Sequence, residues 1–418
     1  MAGQRRTASG PRGSARRRTA AGWLAALLLA SACTAPAKAP AADTAAGDIR
    51  RTLDRWAAAV LDRDEQAYLA VLDPSAAAPR VTERAAFENL AEVPLSSWTY
   101  RVTDIERPGS GHRARVRAEL RYRIEGYDSA PVPVPRTLEL AERAGRWYVT
   151  ADRPGEGGGE QLWEQGRVRV VRGARSLVLG VGQDTERLRG IAADADLAVP
   201  AVDGAWPGPW GRRVVVLVPG SLDALGKLLG APAGGYRGIA ALTTGGAGGP
   251  GAAPADRIIV NPDAYATLGA FGQQVVLTHE TTHVATRAAT SAATPDWLSE
   301  GFADRAAYRS TGRDAGDIAP ELQRAVRRGE VPAALPADED FAFSGDADRL
   351  ARAYEGGWLA CELIASRWGE RRLTDFYRAV GVHGERPGAV EDAMNDVLAT
   401  TPEAFTARWR TYLVERLG

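Results

Sequence analysis

Apolar positions near the start of the chain recur at helical spacing. Ile49, Leu53, Trp56 and Val60 lie three or four residues apart, with Leu61 beside the last, and Tyr68, Leu69 and Leu72 add a further turn before Asp73-Pro74. From residue 98 the period changes to two. Trp98–Ile105, Arg113–Ile124, Arg136–Ala141 and Trp147–Asp152 alternate apolar and polar side chains, which predicts an antiparallel meander ending in a hairpin at Gly145-Arg146-Trp147. The run from Arg153-Pro154-Gly155 to Gly159 reads as a linker. Beyond it the pattern predicts strands at Arg167–Arg172 and Ser176–Val181, a helix at about 184–198 and a strand at Arg213–Val218. A helix at Ser221–Leu229 and strands at Ile239–Thr243 and Arg257–Val260 follow, the last two around a Gly-rich loop at 244–251. Helical periods then return at Leu350–Trp368, Leu373–Gly381, Val390–Ala399 and Phe405–Leu417. The fold class is therefore α+β, with one unit at 48–153, a linker at 154–164 and a second unit at 165–418.

Residues 1–33 carry a different signature. Six arginines without an acid precede the apolar run Ala20–Ala32, which is short for a bilayer span, and the run ends Leu29-Ala30-Ser31-Ala32-Cys33. Small residues before a cysteine resemble a bacterial lipobox, although Ala30 stands where leucine is usual. The expectation is a signal peptide with Cys33 diacylated, anchoring the protein to the outer face of the cell membrane. The same residues form an Ala-x-Ala cleavage site, so free secretion and an uncleaved anchor are the alternatives. Residues 34–47 read as a flexible tether of small residues.

Composition changes the picture little. The 418 residues suit two or three domains, and the apolar and charged shares, 45% and 25%, are ordinary. Lysine occurs only at Lys38 and Lys227, which reflects arginine-rich codon usage more than function. Without the leader arginines, 46 basic side chains face 52 acidic ones, which argues against a nucleic-acid partner. With Cys33 lipidated, Cys361 is left alone in an apolar helical stretch and reads as a buried structural thiol. The Gly-rich loop lacks the Lys-Ser/Thr and following helix of a phosphate cradle and reads as a mobile loop.

The chemistry concentrates in Val275-Val276-Leu277-Thr278-His279-Glu280-Thr281-Thr282-His283-Val284-Ala285. Residues four apart on a helix lie about 40° apart and about 6 Å along its axis. His279 and His283 can therefore reach one tetrahedral ion, with Zn–N distances of about 2.0–2.1 Å. Glu280, roughly 100° from His279, can reach a metal-bound water without ligating the metal. Zinc lowers the pKa of such a water to about 7, and the carboxylate acts as general base while the water attacks a carbonyl. Only 4 histidines occur in the chain, so this spacing is an improbable accident, and its apolar flanks place it on a packed helix rather than a solvated one.

A second helix start follows a short loop. Thr294 reads as N-cap, Pro295 as first helical residue and Asp296 as a first-turn acid. Glu300 then falls in the second turn of a helix that can fold back to supply the third ligand. Asp304, four residues on, can accept the free N–H of a ligating histidine. The alternative for Glu300 is a solvated helix charge, but Trp297, Leu298 and Phe302 around it favour a packed segment.

At this point the chain resembles the gluzincin metallopeptidases, the thermolysin-like zincins, and most of all the bacterial peptidase MA-like group with its W-L-x-E-G-x-A helix. Here that motif is Trp297-Leu298-Ser299-Glu300-Gly301-Phe302-Ala303. The resemblance covers about 165–415 and is strong at 271–309. It implies Zn2+ held by His279, His283 and Glu300, Glu280 as general base, Asp304 behind a histidine, and edge strands over the cleft. Ala353-Tyr354-Glu355-Gly356-Gly357-Trp358 resembles the segment where many gluzincins place a tyrosine that donates to the oxyanion, implying a catalytic Tyr354. The pattern of 48–153, helices and then a meander, resembles the nuclear-transport-factor-2-like cone folds without any residue motif. Its loop residue His112 stands apart from any catalytic cluster, so a spacer or recognition module is expected.

The function so implied is an extracytoplasmic zinc-dependent peptidase acting on a peptide or protein substrate. The alternative is a catalytically idle zincin-fold lipoprotein that binds a peptide or cell-wall partner. Glu280 separates the two, since a binding module has no need of a base beside the metal.

Overall fold

The computed structural model describes residues 41–108, 111–244, 255–342 and 346–418. The first helical period folds as α1 (Ala41–Leu61), which buries Ile49, Leu53, Trp56 and Val60. The helix starts inside the stretch expected to be a tether at 34–47, because alanine is a strong helix former and Ile49 gives its next turn a buried anchor. α2 (Glu65–Ala70) and α3 (Ala77–Asn89) follow. α3 has no fully buried residue, so apolar periodicity gives no signal for it.

β1 (Leu95–Glu106), β2 (Arg113–Ile124), β3 (Val132–Arg143) and β4 (Arg146–Pro154) pair in that order as an antiparallel sheet. In β2 every second residue is buried from Ala114 to Ile124, and that face covers the helices. The next stretch, read as a linker from 154 to 164, is packed. It leads into α4 (Leu162–Gln165), where Trp163 lies 5.3 Å from Trp98 and 5.2 Å from Tyr122 between ring centroids. Asn89 donates from Nδ2 to the Trp163 carbonyl at 2.8 Å. A glycine-rich segment gains nothing by docking, but a tryptophan side chain buries enough apolar surface to hold it down.

The second sheet comprises β5 (Arg169–Arg172), β6 (Ser176–Gly180), β7 (Val214–Val218), β8 (Ala241–Thr244) and β9 (Arg257–Val260). Its order is β5-β6-β7-β9-β8, parallel through β6, β7 and β9 and antiparallel at both edges. The central strands are buried on both faces and so read as continuous apolar runs, Val214-Val-Val-Leu-Val218 above all. α5 (Thr185–Ala205) packs Ile191, Ala195 and Val199 on this sheet, and α6 (Leu222–Leu229) crosses between β7 and β8.

A helical region follows: α7 (Pro262–Ala266), α8 (Ala270–Thr286), α9 (Asp296–Tyr308), α10 (Ala315–Ile318) and α11 (Pro320–Arg327). α12 (Ala347–Trp368), α13 (Glu370–Gly381), α14 (Ala389–Leu398) and α15 (Pro402–Leu417) complete it around Trp297, Phe376, Phe405 and Trp409. Cys361 is buried there as expected, and burial pushes its thiol pKa up.

From Ala45 to Gly418 the chain is one compact unit. A single apolar cluster runs from Ile49 and Trp56 through Trp163 to Leu179, Leu217 and Ile259, joining both sheets. At its margin the buried Asp128, beyond β2, takes the Arg257 guanidinium through two bonds of 2.8 and 2.7 Å. Among the described residues no helix is long and apolar enough to cross a membrane. The leader, Cys33 and the loop beyond Thr244 lie outside the described residues.

Candidate active site

α8 carries the two histidines on one face, as the spacing requires. Val275 and Leu277 are buried and fix the rotation of this helix. Its neighbour α9 begins one residue later than expected: Pro295 is the N-cap and Asp296 the first helical residue. Thr294 makes no capping bond. Its Oγ1 accepts instead from the Ser291 N–H at 3.2 Å, while Asp338 accepts the Asp296 N–H at 3.0 Å. The cap is thus supplied from a distant element, which a local motif cannot reveal.

The side chains converge. His279 Nε2 lies 3.1 Å from Glu300 Oε2 and 3.0 Å from His283 Nε2, and His283 Nε2 lies 3.4 Å from Glu300 Oε2. Two ring nitrogens and a carboxylate oxygen so form a triangle with sides of 3.0–3.4 Å. A tetrahedron built on Zn–ligand bonds of about 2.0–2.1 Å has edges of about 3.3–3.4 Å, so the donor set fits zinc in chemistry and in size. His279 Nδ1 donates to Asp304 Oδ1 at 2.8 Å, which leaves Nε2 as the lone-pair nitrogen aimed into the triangle.

The electrostatics agree with a cation site. Burial works to lower the His279 pKa, but hydrogen bonds to Asp304 and Glu300 outweigh it and hold the imidazole well above its ordinary value. Burial also works to raise the Glu300 pKa, yet His283 and His279 hold that carboxyl well below the usual range. An acceptor set that attracts protons this strongly also attracts a divalent cation, which displaces them.

Glu280 points from the same helix into the same cavity but stands outside the triangle. Its Oε2 accepts a 2.6 Å hydrogen bond from Thr243 Oγ1, and the same hydroxyl lies 3.1 Å from the Glu280 carbonyl. Thr243 belongs to β8, the edge strand of the second sheet. Sequence reasoning missed it, and the only available signal was its place on a strand expected over the cleft.

The cavity has a volume of about 730 Å3. Leu242 and Thr243 of the sheet edge line it together with His279, His283, Glu300, Glu280 and Tyr354 of α12. The Tyr354 ring centroid is 6.3 Å from that of His279, and Phe341 packs edge-on at 5.2 Å to fix the ring. Burial and the carboxylates of Glu300, Asp304 and Glu280 hold its hydroxyl protonated, with a pKa well above the ordinary phenol range. His112, on the β1–β2 connection, faces Glu142 at 3.2 Å in an exposed position and takes no part.

Tyr354 and Glu300 line one cavity because α9 and α12 approach backbone to backbone. A Cβ on Gly301 would sit 2.2 Å from the Gly357 carbonyl oxygen, and one on Gly357 would sit 2.7 Å from the Trp297 carbonyl oxygen. The glycine after Glu300 is therefore a packing requirement of the site.

No protein-family model matches this chain, and no curated protein matches it. Among solved structures it is similar to a two-domain M1 zinc metallopeptidase mutant bound to L-arginine, at 16% identity and a TM-score of 0.34 over 66% of this chain. It is also similar to an M1 zinc metallopeptidase from Deinococcus radiodurans, at 16% identity and a TM-score of 0.32 over 65% of this chain. A third is native yeast LTA4 hydrolase, at 13% identity and a TM-score of 0.35 over 68% of this chain. The chain spans 58% of the length of the first two and 45% of the third. Likenesses this distant carry no inference about activity, and the chemistry rests on the side chains described above.

Proposed function

We propose that this chain is an extracytoplasmic zinc-dependent peptidase that hydrolyses peptide bonds with Glu280 as general base. The observation that carries the proposal is the convergence of His279, His283 and Glu300 beside a carboxylate that does not join them. A purely structural metal site would be closed by a fourth protein ligand, whereas three ligands facing a cavity leave room for chemistry.

Zinc, when held by these three residues, supplies a Lewis acid that acidifies water and polarises a carbonyl oxygen. The protein's own groups do the rest. The Thr243 hydroxyl fixes Glu280 Oε2, so Oε1 is free to take a proton from water and later to deliver it to the departing amine. Tyr354 donates its hydroxyl proton toward the carbonyl oxygen as negative charge develops there. The open edge of β8 offers backbone N–H and C=O groups to an extended peptide by strand addition. Asp304 holds the His279 ring in register.

Zinc content and peptide hydrolysis test this together. Purified protein should carry about one zinc. Glu280→Gln keeps that zinc and loses at least about 10²-fold in turnover on a casein or peptide mixture. Undiminished turnover in the zinc-loaded variant would show that Glu280 is not the base, and a zinc-loaded wild type that cleaves nothing would favour the idle binding module.

The place of action rests on Cys33. The order of charged leader, apolar run, cysteine and following domains suits a lipoprotein whose catalytic cleft is held outside the membrane, and two acyl chains give stable anchoring. Cys33→Ala then releases protein to the medium or leaves the precursor unprocessed, with hydrolysis intact. Cell fractionation with mass analysis of the mature N-terminus decides it: an unmodified Cys33 in soluble wild-type protein ends the lipoprotein reading.

A further inference from the structure

One charged group in the cleft has no part in the steps above. Arg287 follows His283 by four residues, at the end of α8, and so lies on the histidine face about 6 Å further along the axis. It lines the same cavity as His279, His283 and Glu300 and is, among the described residues, the one arginine or lysine that does so. The carboxylates that line it with Arg287 are those of Glu280 and Glu300.

Arg287 is also held in place. Its Nε donates to Asp256 Oδ1 at 2.9 Å, with the Asp256 side chain 5% exposed and that of Arg287 18% exposed. Among the described residues its Nη1 and Nη2 groups make no hydrogen bond. A guanidinium has five N–H donors in a rigid fork, and Asp256 occupies one side of it. The remaining side is immobilised before any ligand arrives, so a carboxylate that binds it loses little rotamer freedom. Asp256 directly precedes Arg257, whose partner across the sheet is Thr244 at the end of the open edge strand. A peptide added to that edge would reach Arg287 within roughly two residues of the bond above the metal, since extended chain advances about 3.3 Å per residue.

Resting on the peptidase reading above, we infer that Arg287, braced by Asp256, selects substrates carrying a carboxylate within about two residues of the scissile bond. The carboxylate is either an acidic side chain or the free C-terminus of the peptide. A bidentate arginine–carboxylate contact recognises both, because it reads a planar pair of oxygens. It also offsets the repulsion that Glu280 and Glu300 would exert on an acidic substrate.

The test is a cleavage profile of zinc-loaded wild-type protein on a proteome-derived peptide mixture, repeated after C-terminal amidation of the mixture. Wild type should enrich Asp and Glu over Asn and Gln at one position near the cut, or should lose its cuts near C-termini when these are amidated. The first result identifies the side chain as the source of the carboxylate and the second the C-terminus. In Arg287→Gln the preference for the acidic over the amide form should fall by about 10-fold or more, and Arg287→Lys should restore part of it. Cleavage by wild type without either preference overturns the inference and leaves the peptidase reading standing. So does an equal loss on acidic and neutral peptides in Arg287→Gln with unchanged zinc content, which would make the ion pair structural only. No cleavage of any peptide overturns both.

Discussion

At the scale of the residue, the site is arranged around one point in space. Three donor atoms converge there, Asp304 holds one ring, and Thr243 holds the Glu280 carboxylate. Thr243 makes the sharpest test of that arrangement, because among the described residues its hydroxyl hydrogen-bonds to Glu280 alone. Thr243→Val keeps the shape and removes the donor, so kcat should fall by about 10-fold, the worth of one hydrogen bond to a charged group, while KM moves little. Thr243→Ser should restore most of the loss. Unchanged kcat in zinc-loaded Thr243→Val would remove the hydroxyl from the mechanism. Asp304→Ala should weaken zinc binding by about 10–100-fold in a competition titration without unfolding the protein, since it leaves the three proposed ligands in place.

At the scale of the element, the decisive contact is that of α9 with α12. Gly301 and Gly357 let the two backbones touch, which brings Glu300 and Tyr354 to facing sides of one cavity. Cys361 seals the same seam, its sulfur 3.9 Å from the Leu298 carbonyl oxygen. Gly301→Ala would force backbone atoms apart and should cost at least about 1–3 kcal/mol, as overpacking does. Its denaturant midpoint should fall and its zinc affinity with it, because Glu300 is carried on the displaced helix. A wild-type midpoint would mean that the helices separate freely, contrary to the packing described.

At the scale of the whole molecule, the N-terminal unit braces the half that carries the candidate site. The ion pair of Asp128 with Arg257 is almost wholly buried, with side chains 1% and 5% exposed, and Arg257 opens the strand that pairs with β8. Asp128→Ala leaves a guanidinium buried without its counter-charge, a loss of about 3–5 kcal/mol for pairs of this kind. Because β8 carries Thr243, that variant should also lose activity at temperatures where it remains folded. Scanning calorimetry should show one cooperative transition for residues 34–418, given the shared core. Two separate transitions would mean that the halves fold independently.

The sequence by itself determined the local facts. The four-residue spacing of His279 and His283 sets their common face, the two-residue period of Arg113–Ile124 sets that strand to the residue, and the apolar run Val214–Val218 predicts a fully buried strand. Each depends on neighbours within a few residues, where helix and strand periods act directly. The tertiary structure alone decided which distant groups meet. Glu280 finds Thr243 across 37 residues, Arg257 finds Asp128 across 129, and Asp296 takes its cap from Asp338 across 42. The expected linker became a packed wedge for the same reason, since Trp163 docks between rings more than 40 residues away. Side-chain periodicity records which face of an element is buried but carries no record of what buries it. The partners that orient a base, cap a helix or brace an arginine are fixed only when the sheets and helices close on one another.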